Sequence, residues 1–239
     1  METINDILGY KKLKIYQNSD MFQFSLDSVL LPNFVTINKN AKKILDIGTG
    51  NAIIPIILTT KTNAEITAIE IQKDVCELAK KSVKLNCLDS QIKVIHNDVN
   101  QYYLECNSEE YDIITCNPPY FKVTETSKLN DSEYKIIARH EIKLDLEGLM
   151  KISSKLLKNK GIIGIVHRPD RLIDIIMTMK KYNIEPKKIR FVYPKQTKEA
   201  NILLIEGKKN GNPGLKILKP LYSHLDNGDY TLEIQKYFE

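Results

Sequence analysis

From about residue 42 onward the chain alternates short aliphatic runs with longer segments whose apolar residues recur every three or four positions, the signatures of strand and helix. Strands are predicted over 43–48, 65–71, 92–98 and 111–117. Between them, 52–60 reads as a buried helix, 73–86 as an amphipathic one, and a short helix follows the third strand. Helix 73–86 lines up Val75, Leu78, Ala79 and Val83 on one stripe. Pro55 falls early enough in helix 52–60 to be tolerated in a first turn. Farther on, helix 145–158 leads to a glycine-bearing strand over 161–167, and helix 169–182 to strands over 188–193 and 200–206. The short link between those last two implies antiparallel pairing. The pattern therefore predicts an α/β fold, a doubly wound sheet of seven strands, mostly parallel, with the last strand antiparallel. Residues 1–40 are expected to be an N-terminal extension packing on a core over 41–208, with 209–239 as a C-terminal appendage. A polar, unpatterned stretch from Lys122 to Ser132 predicts a mobile loop over about 121–138.

The first four strands all end in polar residues, at the carboxyl edge where open α/β sheets bind their ligands. The first runs into Asp46-x-Gly48-x-Gly50, whose glycines let the backbone turn tightly and approach a ligand closely. Position 53 is Ile, where a dinucleotide fingerprint needs a third glycine, and no Lys-Ser/Thr pair follows to build a phosphate loop. An acid in such a loop suits a cationic ligand without phosphates, and S-adenosylmethionine fits. Glu70, 20 residues after Gly50, is placed to accept both ribose hydroxyls of an adenosine. Asp98 ends the third strand and can accept from an adenine amino group. Each acid alone also reads as a helix cap or a solvated side chain.

The fourth strand ends in Asn117-Pro118-Pro119-Tyr120. The prolines remove two backbone donors and stiffen the exit from the sheet. Their carbonyls stay free to accept. Asn117 adds a side-chain oxygen, and Tyr120 a flat face. That set suits a planar amino group that donates two hydrogen bonds while its ring is stacked. By itself the tetrapeptide also reads as a proline-terminated strand with a capping Asn. The predicted chemistry is methyl transfer to an amine, with Asn117 and the Pro118 carbonyl holding the nitrogen. No strong base and no metal are called for.

These motifs make the chain resemble the class I S-adenosylmethionine-dependent methyltransferases, of Rossmann-like fold and the amino-group type. More narrowly it is similar to the bacterial tRNA1(Val) adenine N6-methyltransferases. The narrower likeness rests on the segments 22–31, 138–141, 168–172, 192–195, 199–202 and 214–217, with Pro220 and Leu221. The resemblance implies transfer to N6 of an adenosine in tRNA, at position 37 of the anticodon loop of a valine tRNA. The expected cofactor site is Asp46, Gly48, Gly50, Glu70, Ile71, Asp98, Val99 and Asn117, and the expected catalytic set is Asn117, Pro118, Pro119 and Tyr120. The alternatives are a protein glutamine N5-methyltransferase, a DNA adenine methyltransferase and a non-catalytic RNA-binding factor.

Composition changes this picture little. The chain of 239 residues is 42% hydrophobic and 27% charged, an ordinary globular balance. No apolar run approaches the roughly 20 residues of a membrane span, and the N-terminus lacks the pattern of a signal peptide. Cys76, Cys87, Cys106 and Cys116 are isolated, which argues against a zinc site and for reduced core thiols in the cytoplasm. A monomer is expected. Charge is uneven: residues 180–219 hold eleven Lys or Arg against three Glu, a net of +8, while the whole chain is only +5. Such a basic segment is what contacts to a tRNA backbone require, although it also reads as a solvated, lysine-rich face. Phe121, Lys187, Lys188, Arg190 and Lys195 are the expected substrate contacts.

Overall fold

The computed structural model describes residues 2–7, 10–18, 25–118 and 144–237. A hairpin, β1 (Glu2–Ile7) and β2 (Tyr10–Asn18), and helix α1 (Leu26–Phe34) precede the alternating part. That part runs β3 (Lys43–Ile47), α2 (Ile53–Thr59), β4 (Glu65–Glu70), α3 (Lys73–Leu85), β5 (Ile92–His96), α4 (Val99–Glu105) and β6 (Tyr111–Cys116). It continues with α5 (Leu146–Leu156), β7 (Leu157–His167), α6 (Leu172–Lys181), β8 (Ile184–Tyr193) and β9 (Ile202–Lys209). Two short strands, β10 (Lys216–Ile217) and β11 (Leu221–Tyr222), and a short helix α7 (Leu232–Gln235) follow. The expected loop over 121–138 lies outside the described residues.

The sheet order is β5-β4-β3-β6-β7-β9-β8, with β10 and β11 both pairing with the outer side of β8. Strand β9 is antiparallel to β7 and β8, and the other strands are parallel. The expected doubly wound architecture is thus present. The sheet counts nine strands rather than seven, because segments after residue 209 add β10 and β11. Two residues each are too few to show a period in sequence. Strand β8 also starts earlier than expected, at Ile184: Pro186 sits at a register shift, where a strand tolerates a proline.

Alternation within strands builds two cores. Ile44, Ile113, Ile162 and Leu204 belong to one cluster, and their neighbours Leu45, Ile114, Ile163 and Leu203 to the other, because successive side chains leave a strand on opposite faces. The first cluster takes in α1, α2 and α3; the second takes in α5 and α6. Asp46 and Thr115 lie on the first side by the same period.

Helix α1 sits unusually close to the sheet. A Cβ added at Gly164 would lie 2.9 Å from Val35 Cγ2, so only glycine at this point of β7 allows the approach. The end of α1 is tied down by an ion pair across β8 and β9 between half-buried Lys188 and buried Glu206. Lys188 Nζ lies 2.9 Å from Glu206 Oε2 and also donates to Phe34 O and Thr36 Oγ1. Glu206, 6% exposed, accepts from Thr36 N and Thr36 Oγ1.

The hairpin docks on α3. Asn86 donates to Lys14 O and accepts from Lys14 N, and Ser82 Oγ accepts from Tyr16 N. Of the cysteines read as core thiols, Cys76 and Cys116 are buried and Cys106 is half-buried. Cys87 is exposed, since it terminates α3 with a left-handed φ of 58°. Among the described residues no helix is long and apolar enough to cross a membrane.

Candidate active site

The loop after β3 is held in a repeated left-handed form. Gly48, Gly50 and Ala52 have φ of 67°, 59° and 69°, so every second residue turns the chain the same way. Gly50 N donates to Glu70 Oε2 at 3.0 Å, and Thr49 N to Ile69 O at 2.9 Å, which pins the loop to the end of β4. A Cβ at Gly48 or Gly50 would meet nothing within 4 Å, so the loop faces open space. Ala52 was not expected in this role. Its spacing of two from each glycine was the signal, although nothing in an alanine announces φ > 0.

Asp46 is fully buried, and Thr115 Oγ1 donates to its Oδ1 at 2.6 Å from the facing position on β6. Burial pushes its carboxyl up to about 7, and Glu70 adds to that push, while the Thr115 hydrogen bond pulls the other way. Among the described residues, Asp46 Oδ2 and Thr49 Oγ1 are buried without a hydrogen-bond partner. Thr49 nevertheless lies near enough to lower the Asp46 carboxyl, as Thr115 does.

Glu70 is 3% exposed. Its Oε1 accepts from Gln72 N at 2.9 Å, while Oε2 holds Gly50 N. A carboxylate at the end of β4 is the group that the ribose reading of Glu70 calls for. Asp98 caps α4, accepting from Asn100 N at 2.8 Å through Oδ1, so the capping reading left open by the sequence is realised with one of its two oxygens. Ile71 is half-buried and its carbonyl contacts His96 Nε2 at 3.1 Å. Val99 is buried in the second core cluster. The fold thus brings Asp46, Gly48, Gly50, Glu70, Ile71, Asp98 and Val99 to the carboxyl ends of three adjacent strands.

Asn117 leaves β6, the strand next to β3, at the same edge. Its Nδ2 donates to Ser28 Oγ on α1 at 3.1 Å. Pro118 follows; Pro119, Tyr120 and Phe121 lie outside the described residues. Ser28 was not expected at the site, because nothing in the sequence links it to a residue 89 positions away. A cavity of about 640 Å³ lies at the opposite edge, between the amino ends of β3 and β4, lined by Lys39, Lys42, Lys61 and Glu65 among others. It has no part in the strand-end site.

The family model described as methyltransferase small domain matches residues 25–170, a span that covers the glycine loop, both strand-end acids and Asn117. The chain belongs to the methyltransferase small domain family. A relative from Parabacteroides distasonis, described as a tRNA1(Val) (adenine(37)-N6)-methyltransferase, is 29% identical over 98% of this chain and 92% of its own length. One from Flavobacterium johnsoniae with the same description is 27% identical over 94% of each. A solved structure from Agrobacterium tumefaciens, described as a predicted O-methyltransferase, aligns with a TM-score of 0.70 at 20% identity. The alignment covers 89% of this chain and 95% of that one, and it speaks to the fold.

In this small-domain methyltransferase the cations expected to meet a substrate sit on or just after β8, three strand spacings or about 14 Å from β6. Lys188 is turned inward to Glu206, and Arg190 donates to Glu233, Lys219 O and Tyr237 OH. Both are engaged in contacts that hold the chain together. Among the described residues, Lys187 and Lys195 donate to backbone carbonyls, Asn212 O and Asp226 O. Lys180, Lys181 and Lys209 are also ion-paired, to Glu185, Glu147 and Glu109. The pairs to Glu185 and Glu206 are already counted in the +8 read along this segment, and Glu109, Glu147 and Glu233 from outside it lower the local balance to +5.

Proposed function

We propose that this methyltransferase moves the methyl group of S-adenosylmethionine to N6 of an adenosine in tRNA, at position 37 in the anticodon loop of a valine tRNA. The observation that carries the reading is Asn117, next to the Asp46 strand with its amide nitrogen held by Ser28. The descriptions of two relatives that match more than nine-tenths of this chain support the same substrate.

S-adenosylmethionine supplies an electrophilic methyl group when bound. Asp46, Gly48, Gly50, Glu70, Ile71, Asp98 and Val99 form its cradle. Glu70 takes the ribose, Asp98 faces the adenine, and the buried Asp46 Oδ2 faces the cationic methionine end. The amine of adenine is a poor nucleophile, because its lone pair is delocalised into the ring. Asn117 Oδ1 and the Pro118 carbonyl each accept one N–H and draw the nitrogen toward tetrahedral geometry. Tyr120 and Phe121 stack on the base. Positioning of this kind supplies several kcal/mol, and acceptor dipoles facing the positive charge that develops on nitrogen add to it. An anticodon loop suits this site because its bases unstack at modest cost. Lys187 and Lys195 meet the phosphates, and the protein works as a monomer in the cytoplasm.

The test offers purified protein total tRNA, DNA and translation release factors together with labelled cofactor. Label is expected in tRNA as N6-methyladenosine, and lost when adenosine 37 of the valine tRNA is replaced. Label on a release-factor glutamine, whose amide presents the same two donors, would overturn the substrate while leaving the amine chemistry standing.

A further inference from the structure

We infer that Arg168 is a substrate contact that grips one of the two phosphates flanking the base that reaches the end of β6. The inference deepens the tRNA reading above and rests on it. Arg168 follows His167, the last residue of β7, and β7 lies one strand spacing, about 4.8 Å, from β6. The register sets Cys116 beside Ile165, which carries Asn117 and Pro118 alongside Val166 and His167, with Arg168 next. Lys187 and Lys195 sit on or after a strand three spacings away. The side of the sheet agrees as well. Val166 belongs to the first core cluster, as Ile113 does, and the backbone at Arg168 stays extended, with φ −81° and ψ 144°. A period of two therefore puts Arg168 on the side of Asn117 and α1.

The surroundings hold the guanidinium in place. His167 Nδ1 accepts from Arg168 N at 2.8 Å, and Pro169 opens the short helical turn that follows, so the backbone is fixed on both sides. Arg168 Nη1 donates to Asn201 O at 3.2 Å, just ahead of β9. That bond joins two segments far apart in the chain, 168–172 and 199–202, neither of which the cofactor site uses. A guanidinium carries five donors in one plane, and this carbonyl takes one of them. Among the described residues no carboxylate pairs with Arg168, whereas Arg171, Arg190 and Lys188 are ion-paired to Asp174, Glu233 and Glu206. An exposed arginine steered by a carbonyl, at the edge where a nucleotide must lie, is built to meet a phosphate through two parallel hydrogen bonds.

Filter binding with two anticodon stem-loops tests this. One RNA is natural, and in the other neutral methylphosphonates replace the two phosphates that flank the target adenosine. R168A should weaken binding of the natural RNA about tenfold or more, the effect of losing charge-assisted hydrogen bonds. It should also reduce the slope of log affinity against log salt by about 0.7, the share of one phosphate contact on a single strand. With the methylphosphonate RNA, R168A should cost roughly twofold at most. R168K keeps the charge and should keep the salt slope, while recovering only part of the affinity because an ammonium lacks the planar fork. Cofactor affinity and melting temperature should match those of the wild type. Equal losses with both RNAs would mean that Arg168 serves only to join β7 to β9, and would overturn the inference.

The substrate reading fails separately. If the wild type methylates DNA rather than tRNA, and the R168A loss disappears on a DNA carrying the same methylphosphonates, the tRNA is sunk and the phosphate contact stands. Label on a protein glutamine, with R168A as active as the wild type, would overturn both, since a peptide brings no phosphate. R168A that binds and methylates tRNA as the wild type does would overturn the inference and leave the substrate standing.

Discussion

Replacing Asp46 by Asn should reveal a titration hidden inside the folded protein. Burial holds the Asp46 carboxyl at about 7, against 3.8 for the ordinary group. Between pH 4 and 7 the folded chain therefore keeps a proton that the unfolded chain has released, so stability falls as pH rises through this window. At about 1.4 kcal/mol per unit the whole window is worth about 4 kcal/mol. His167 works in the opposite sense. Burial, with Arg171 beside it, lowers its imidazole from 6.5 to about 4, so the folded form resists the proton and stability rises with pH between 4 and 6.5. From pH 5 to 7.5, Asp46 should then remove about 3 kcal/mol and His167 should return about 2, leaving the wild type nearly flat. The isosteric D46N keeps an acceptor for Thr115 and lacks the titration, so its stability should climb by about 2 kcal/mol over the same range. Urea unfolding at the two pH values is the assay. With a slope of about 3 kcal/mol per molar, the difference between variants should move by roughly 1 M in midpoint. If the gap between D46N and wild type is the same at pH 5 and pH 7.5, Asp46 does not titrate in that range and the argument from burial fails.

G164A forces a Cβ to within 2.9 Å of Val35; it should lower stability by about 1–3 kcal/mol, and a variant as stable as wild type would show that α1 does not depend on the close approach. K188A removes the partner of buried Glu206, at a cost of about 1–3 kcal/mol, and the double variant K188A/E206Q should recover part of it in thermal unfolding; no recovery would mean that the loss is not electrostatic. K188A should also leave the salt dependence of tRNA binding unchanged, whereas K195A should reduce its slope; the reverse result in filter binding would restore Lys188 as a phosphate contact. E70A removes the acceptor of Gly50 N as well as the expected ribose contacts, so calorimetry should show cofactor binding weakened by at least a hundredfold, and unchanged affinity would remove Glu70 from the site.

The order of strands and helices from β3 to β9 was readable because each element carries its own period. A central parallel strand is a run of aliphatic residues, and an amphipathic helix such as α3 displays a stripe. The gathering of Asp46, Gly48, Gly50, Glu70 and Asn117 at one edge was readable for a related reason: a polar residue closing an aliphatic strand has few structural uses, and the topology delivers all such ends to one edge. Asp98 was less decided, since one carboxylate can cap a helix and face a ligand at once. What the sequence could not reveal depends on partners distant along the chain. The period of β6 put Asn117 and Thr115 on one face, but that α1 would cover that face, and bring Ser28 within 3.1 Å of the amide, follows from Gly164 and from the Lys188–Glu206 ion pair linking β8 to β9. The same holds for charge. Lysines 187 and 188 and Arg190 look alike in a basic run, yet the register of β8 against β9 sets Lys188 opposite Glu206, and the C-terminal segment brings Glu233 to Arg190. Local periodicity determines which elements form and which face they bury; only the tertiary structure decides which of their polar groups are consumed in holding the elements together and which remain for chemistry.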